Sequence, residues 1–159
     1  MRPFEEGDVE EAFGWFGDSE VMRFIVSGAH ESREQTRLRI ESYRAHQAQH
    51  GFSKWVLIER ESGRLIGDAG LMSLEGFGIE LGYRLARTWW GRGLATEAAA
   101  AWVRAGFDTH RLRRIAAFAH PANTASHRVL VKLGFTPRGR GAVLGMDALL
   151  FALEPPVDH

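Results

Sequence analysis

The chain has 159 residues, of which 45% are hydrophobic, 11% aromatic and 25% charged. That length fits one domain, 1–159, and that composition can bury a core, which excludes disordered, collagen-like and coiled-coil chains. Twenty basic side chains against twenty acidic ones exclude a generally basic nucleic-acid binder, and the lack of cysteine excludes disulfides, thiolate metal sites and a cysteine nucleophile.

In chain order, Asp8 is placed to cap a short helix over Val9 to Phe16 that Gly17 ends. A longer helix runs from Ser32 to about His50: Ser32 has Gln35 at capping-box spacing, and Gly51 follows as a stop. Three strands follow, over 54–59, 65–72 and 78–85, rich in β-formers and separated by turns, which reads as an antiparallel meander. An alanine-rich helix spans about 95–108, a buried strand 114–119, and a helix 124–133 stopped by Gly134. Two last strands, about 135–140 and 147–154, flank a glycine-rich turn. This order predicts an α+β fold with a mixed sheet. No apolar run approaches the roughly 20 residues of a membrane span, and the first residues lack a signal peptide's apolar stretch, so a cytoplasmic protein is expected.

The zero net charge hides a pattern. Residues 1–86 carry ten basic and fifteen acidic side chains, 87–140 ten basic and two acidic, and 141–159 three acidic and none basic. Such segregation points to an anionic ligand for the basic stretch. Within it, Gly91-Arg92-Gly93 joins a strand to a helix. The first turn of that helix has N–H groups without intrahelical acceptors, the helix dipole adds positive charge, and glycines let backbone approach a ligand. A phosphate fits such an end, with Arg92 and Arg87 adding charge. Asn123 opens the next helix, where it is a cap, a ligand or both.

Two segments carry a resemblance: Trp90-Gly91-Arg92-Gly93-Leu94-Ala95-Thr96-Glu97-Ala98, and Asn123 to Phe135 with Ser126, Val129, Lys132 and Gly134 at their spacing. Their order and spacing resemble the GNAT superfamily, whose members transfer acyl groups from acyl-CoA to amines. Arg2-Pro3-Phe4 and Ile79-Glu80-Leu81-Gly82-Tyr83 are similar to the branch of ribosomal-protein N-terminal acetyltransferases, and the resemblance covers about residues 2–153. It implies a GNAT-like, mostly antiparallel sheet of six to seven strands, flanked by about four helices, with a splayed central strand pair.

It also implies site residues. The acetyl-CoA pyrophosphate rests on the backbone of Arg92, Gly93, Leu94, Ala95 and Thr96, and the pantetheine arm pairs with backbone at Tyr83, Arg84 and Leu85. Asn123 bonds the cofactor, and Arg128 and Lys132, four apart on one helix face, meet the 3′-phosphate or stay a solvated basic face. Glu80 is the leading base, acting through a water, with His120 in reserve. Ser126 is the candidate proton donor to the leaving thiolate, or else a small residue that lets the cofactor approach. The family's tyrosine acid has no counterpart: Leu130 stands at its position. Trp90 is expected to pack beneath the loop and Trp89 to line the amine entry. Residues 23–50 are expected to cover the acceptor groove, and the acidic N-terminal half permits an acidic one. The implied partners are acetyl-CoA and an amine acceptor, with no metal, nucleic acid or membrane, in a monomer or homodimer. The acceptor is a protein N-terminus or a small amine such as a polyamine, amino acid or aminoglycoside, unless the domain only binds acyl-CoA.

Overall fold

The computed structural model describes residues 1–158. Its helices are α1 (Val9–Phe16), α2 (Arg33–His50), α3 (Leu94–Asp108) and α4 (Thr124–Lys132); its strands are β1 (Arg2–Pro3), β2 (Lys54–Ile58), β3 (Leu65–Leu74), β4 (Gly78–Leu85), β5 (Ile115–Ala119), β6 (Thr136–Val143) and β7 (Met146–Leu153). The sheet has seven strands in the order β1-β2-β3-β4-β5-β7-β6. Every pairing is antiparallel except β4 with β5. The expected helix number, strand number and mixed sheet are all present.

Alternation along the strands divides the core in two. Leu57, Ala69, Leu71, Leu81, Ile115 and Phe151 pack with Ala98, Ala99 and Trp102 of α3 and Leu130 of α4. Val56 turns the other way, onto Trp15 and Phe16 of α1 and Ile40 and Tyr43 of α2. Helices α1 and α2 therefore cover one face and α3 and α4 the other. Fully burying one such leucine or isoleucine contributes about 2 kcal/mol.

The caps of α2 match expectation: Ser32 accepts from the Gln35 N–H, and Gly51 ends the helix at φ 79°. Asp8 differs. It makes no side-chain cap on α1, and instead accepts the Glu5 N–H and two bonds from Arg2. Those bonds tie down β1, a two-residue edge strand beside β2 that no periodicity reveals. The glycines near the C-terminus also differ from expectation. Gly139, at φ 95°, lies beside a register shift between Pro137 and Arg140, so β6 continues to Val143 and the chain turns at Leu144–Gly145 instead.

The feature that positions the site is the central pair. β4 and β5 are parallel and in register only at Glu80↔Ala116. Beyond that point β4 runs on to Leu85 without a ladder to β5, which leaves the edge of β4 open.

Candidate active site

The β4–β5 opening is the floor of a cavity of about 460 Å³, roofed by Phe24, Val26 and α2 and closed at one side by Asn123 and Ser126 of the α4 start. Alternation puts Glu80, Gly82 and Arg84 on its α2 side, while Leu81 and Leu85 go into the core.

Glu80 is 9% exposed, and its Oε2 accepts from Lys54 Nζ at 3.0 Å. Its Oε1 has no hydrogen-bond partner among the described residues. Gly82 makes this pair possible, since a Cβ there would lie 2.1 Å from Lys54 Nζ and 2.8 Å from Glu80 Oε1. Lys54 escaped the sequence reading. Its signal was a lysine sharing the inward face of a strand with Val56, where a buried charge requires a partner.

Four residues farther along β4 lies a second buried pair. Asp68, 0% exposed, accepts from Arg84 Nη2 at 2.7 Å and Nε at 3.1 Å and from Trp15 Nε1 at 2.8 Å. Arg84 Nη2 also donates to Tyr43 Oη at 2.6 Å, and the guanidinium sits 4.9 Å over Phe16. Burial works against the Arg84 charge, but Asp68 and Tyr43 outweigh it and hold its pKa above the ordinary value. The Arg84 side chain is thus committed to the scaffold.

Tyr83 points to the other face. Its hydroxyl lies 3.1 Å from the Ser126 carbonyl and 2.9 Å from Ser126 Oγ. A carbonyl only accepts, so when the phenol donates there, Ser126 donates to the phenol. Burial pushes the Tyr83 phenol up to about 12, against the Ser126 bond that lowers it. Ser126 is therefore engaged at rest and has to turn to serve another acceptor. Asn123 Oδ1 accepts the Ser126 N–H at 3.2 Å, so it caps α4 while it lines the cavity.

At the start of α3, Gly91 and Gly93 both have φ 75°, and a Cβ on either would meet nothing within 4 Å. Gly93 is the N-cap, and no side chain caps the helix, so the N–H groups of Leu94, Ala95 and Thr96 lack helical acceptors. Arg92 lies 4.7 Å over the Trp89 ring with no carboxylate partner among the described residues. Arg87 differs from expectation: it makes two bonds to Asp18, at 2.6 and 3.1 Å, which offset its charge. The tryptophans differ from expectation. Trp89 packs against the core, whereas Trp90 is 48% exposed and held by its indole N–H on the Leu85 carbonyl. Arg128 and Lys132 are exposed on α4. His120 is bound into the turn after β5, accepting the Ala122 N–H and stacking on Phe24 5.0 Å away, which suits structure better than a base. Leu130 is buried, as an apolar residue at that position would be.

The groove is not acidic. Among the described residues that line it, Glu80 is the only carboxylate, and Lys54 holds it. Asp8 and Asp68 are buried in ion pairs of their own, and Glu6, Glu10, Asp18, Glu34 and Glu41 pair with arginines away from the cavity lining.

Comparison with known proteins agrees with this fold. Residues 1–136 match the family described as an acetyltransferase (GNAT) domain. The uncharacterized N-acetyltransferase YoaA of Bacillus subtilis is 32% identical over 142 residues, covering 87% of this chain and 80% of that protein. A GNAT-family acetyltransferase from Bacillus anthracis, 27% identical, superposes with a TM-score of 0.84 over 96% of this chain and 92% of that one. The fold is also that of AAC(6')-Ib in complex with ribostamycin and coenzyme A, at 19% identity, a TM-score of 0.80, and 96% and 91% coverage.

Proposed function

The chain belongs to the GNAT acetyltransferase family as an acetyl-CoA-dependent N-acetyltransferase, and we propose that a primary amine reacts in the β4–β5 cavity with Glu80 as the base. Acetyl-CoA supplies the thioester and leaves as the thiol. The observation that carries this reading is the carboxylate at the opening: Oε2 is fixed by Lys54, and Oε1 has no hydrogen-bond partner among the described residues. A primary amine is mostly protonated near neutral pH, so attack needs a group to take its proton. Glu80 Oε1 takes it, directly or through one water.

The α3 start suits the pyrophosphate, because its uncapped N–H groups and open glycines match a close anion, and Arg92 adds an unpaired cation. The unladdered edge of β4 beyond Glu80 suits the pantetheine amides, which would satisfy its free backbone groups near Tyr83 to Leu85. A backbone N–H near Tyr83 polarises the acetyl carbonyl, and Ser126, released from Tyr83, returns a proton to sulfur. Val26 and Leu144, 52% and 63% exposed, line the cavity with apolar side chains, so the rest of an acceptor extends past them. That geometry serves a protein N-terminus and a small amine alike.

The experiment is CoA binding by Gly93→Glu beside Gly93→Ala. Both variants carry the backbone strain of φ 75°, but only the glutamate adds a like charge at the anion site. CoA affinity falls far more in the glutamate variant. Equal affinities in the two would remove the pyrophosphate from this loop.

A further inference from the structure

Four arginines lie on α2, and three have carboxylates: Arg33 with Glu10 at 2.6 Å, Arg37 with Glu34 and Glu41 at 2.6 and 2.9 Å, and Arg44 with Glu6 at 3.1 Å. Arg39 has none among the described residues. It is also the one that lines the cavity, on the same face as Tyr43 four residues on. Its guanidinium is half-buried, 5.9 Å over Phe16, and its side-chain partners are two neutral hydroxyls at long distance, Ser27 Oγ at 3.3 Å and Tyr43 Oη at 3.5 Å.

The other charges of the cavity cancel. Lys54 is matched by Glu80 and Arg84 by Asp68, which leaves the Arg39 cation uncompensated. Next to the lining residue Phe24, Arg23, exposed and 5.1 Å over that ring, adds a second cation with no carboxylate partner among the described residues. An acceptor with several ammonium groups would bring like charge into this field. A carboxylate would gain a forked, charge-assisted pair with Arg39.

We propose that Arg39 binds a carboxylate of the acceptor, so that the substrate class is a primary amine carrying a carboxylate rather than a polyamine or an aminoglycoside. The proposal rests on the reading of this cavity as the acceptor site. Two sources share the chemistry: a free amino acid, or a peptide N-terminus with an acidic side chain close behind it.

The test measures kcat/KM on matched pairs, with thiol release from acetyl-CoA as the readout. One arm compares β-alanine and 4-aminobutanoate with their amides and with 1,4-diaminobutane. The other compares a serine–aspartate dipeptide amide with its asparagine counterpart. The acidic member of the pair in the correct arm is preferred by about tenfold or more, the worth of a hydrogen-bonded charge. Arg39→Gln brings that ratio toward one with the KM for acetyl-CoA unchanged, and Arg39→Lys retains part of the preference. The proposal is overturned if the neutral or dicationic amines are equal or better, or if the ratio survives in Arg39→Gln. Failure of every amine to release thiol would instead overturn the transferase reading. In that event titration of the same pairs into the CoA-loaded protein decides the proposal by the same ratios.

Discussion

Asp68→Asn is expected to destabilise the protein severely while changing few atoms. The carboxylate is fully buried and accepts three hydrogen bonds, two from Arg84 and one from Trp15. Asparagine offers one acceptor oxygen, and its amide nitrogen would face donors. Arg84 would then hold a buried charge with only Tyr43 and the Phe16 ring as partners. Removing one partner of a buried ion pair costs about 3–5 kcal/mol. At roughly 2–4 °C per kcal/mol for a protein of this size, the melting temperature falls by about 6–20 °C. Thermal unfolding followed by circular dichroism at pH 7.5 measures it. Asp68→Leu combined with Arg84→Met removes both charges and recovers much of the loss, because no ion is left unpaired. A fall of less than about 2 °C in Asp68→Asn would refute the reasoning, since the network would then hold little of the fold.

Two other predictions concern protons. Ser126→Ala lowers kcat by about ten- to a hundredfold if the hydroxyl protonates the thiolate. Tyr83→Phe, which frees that hydroxyl, leaves a smaller defect; equal and negligible effects would make Ser126 a packing residue. His30 stacks on Phe16 at 4.8 Å and bonds Thr36. Burial first, then the Arg39 and Arg84 cations, lower its pKa from 6.5 to about 4. The unfolded chain binds this proton more readily, so stability is full above about pH 6.5 and is lost as pH falls toward 4. Discounted for solvent at the ring edge, the loss is roughly 1–2 kcal/mol, and a melting series from pH 7.5 to 4 shows it shrinking in His30→Gln.

What was legible in the sequence was local. Ser32 and Gly51 mark α2 because capping acts over three or four residues, and Gly91-Arg92-Gly93 marks a helix start for the same reason. Glu80 was legible through strand alternation and its surrounding motif. The charge pairings were not. Asp68 meets Trp15 across 53 residues, Arg84 meets Tyr43 across 41, and Asp18 meets Arg87 across 69, and no periodicity encodes such partners. Arg87 therefore read as a cofactor charge although a carboxylate holds it. The acidic N-terminal half permitted an acidic groove for the same reason: a count of charges does not say which face they occupy. Asp68 and Lys54 did carry one signal, an ionisable residue on an inward strand position.

The central claim is that Glu80 moves the amine proton without holding the cofactor. Glu80→Gln keeps an acceptor oxygen for Lys54 and removes the basic one. Single-turnover acetyl transfer, measured beside acetyl-CoA affinity, tests it directly. The account predicts a transfer rate lower by about a hundredfold or more with affinity changed less than about threefold. A variant that transfers at the native rate across pH, or that loses acetyl-CoA binding in proportion to its rate, would contradict it.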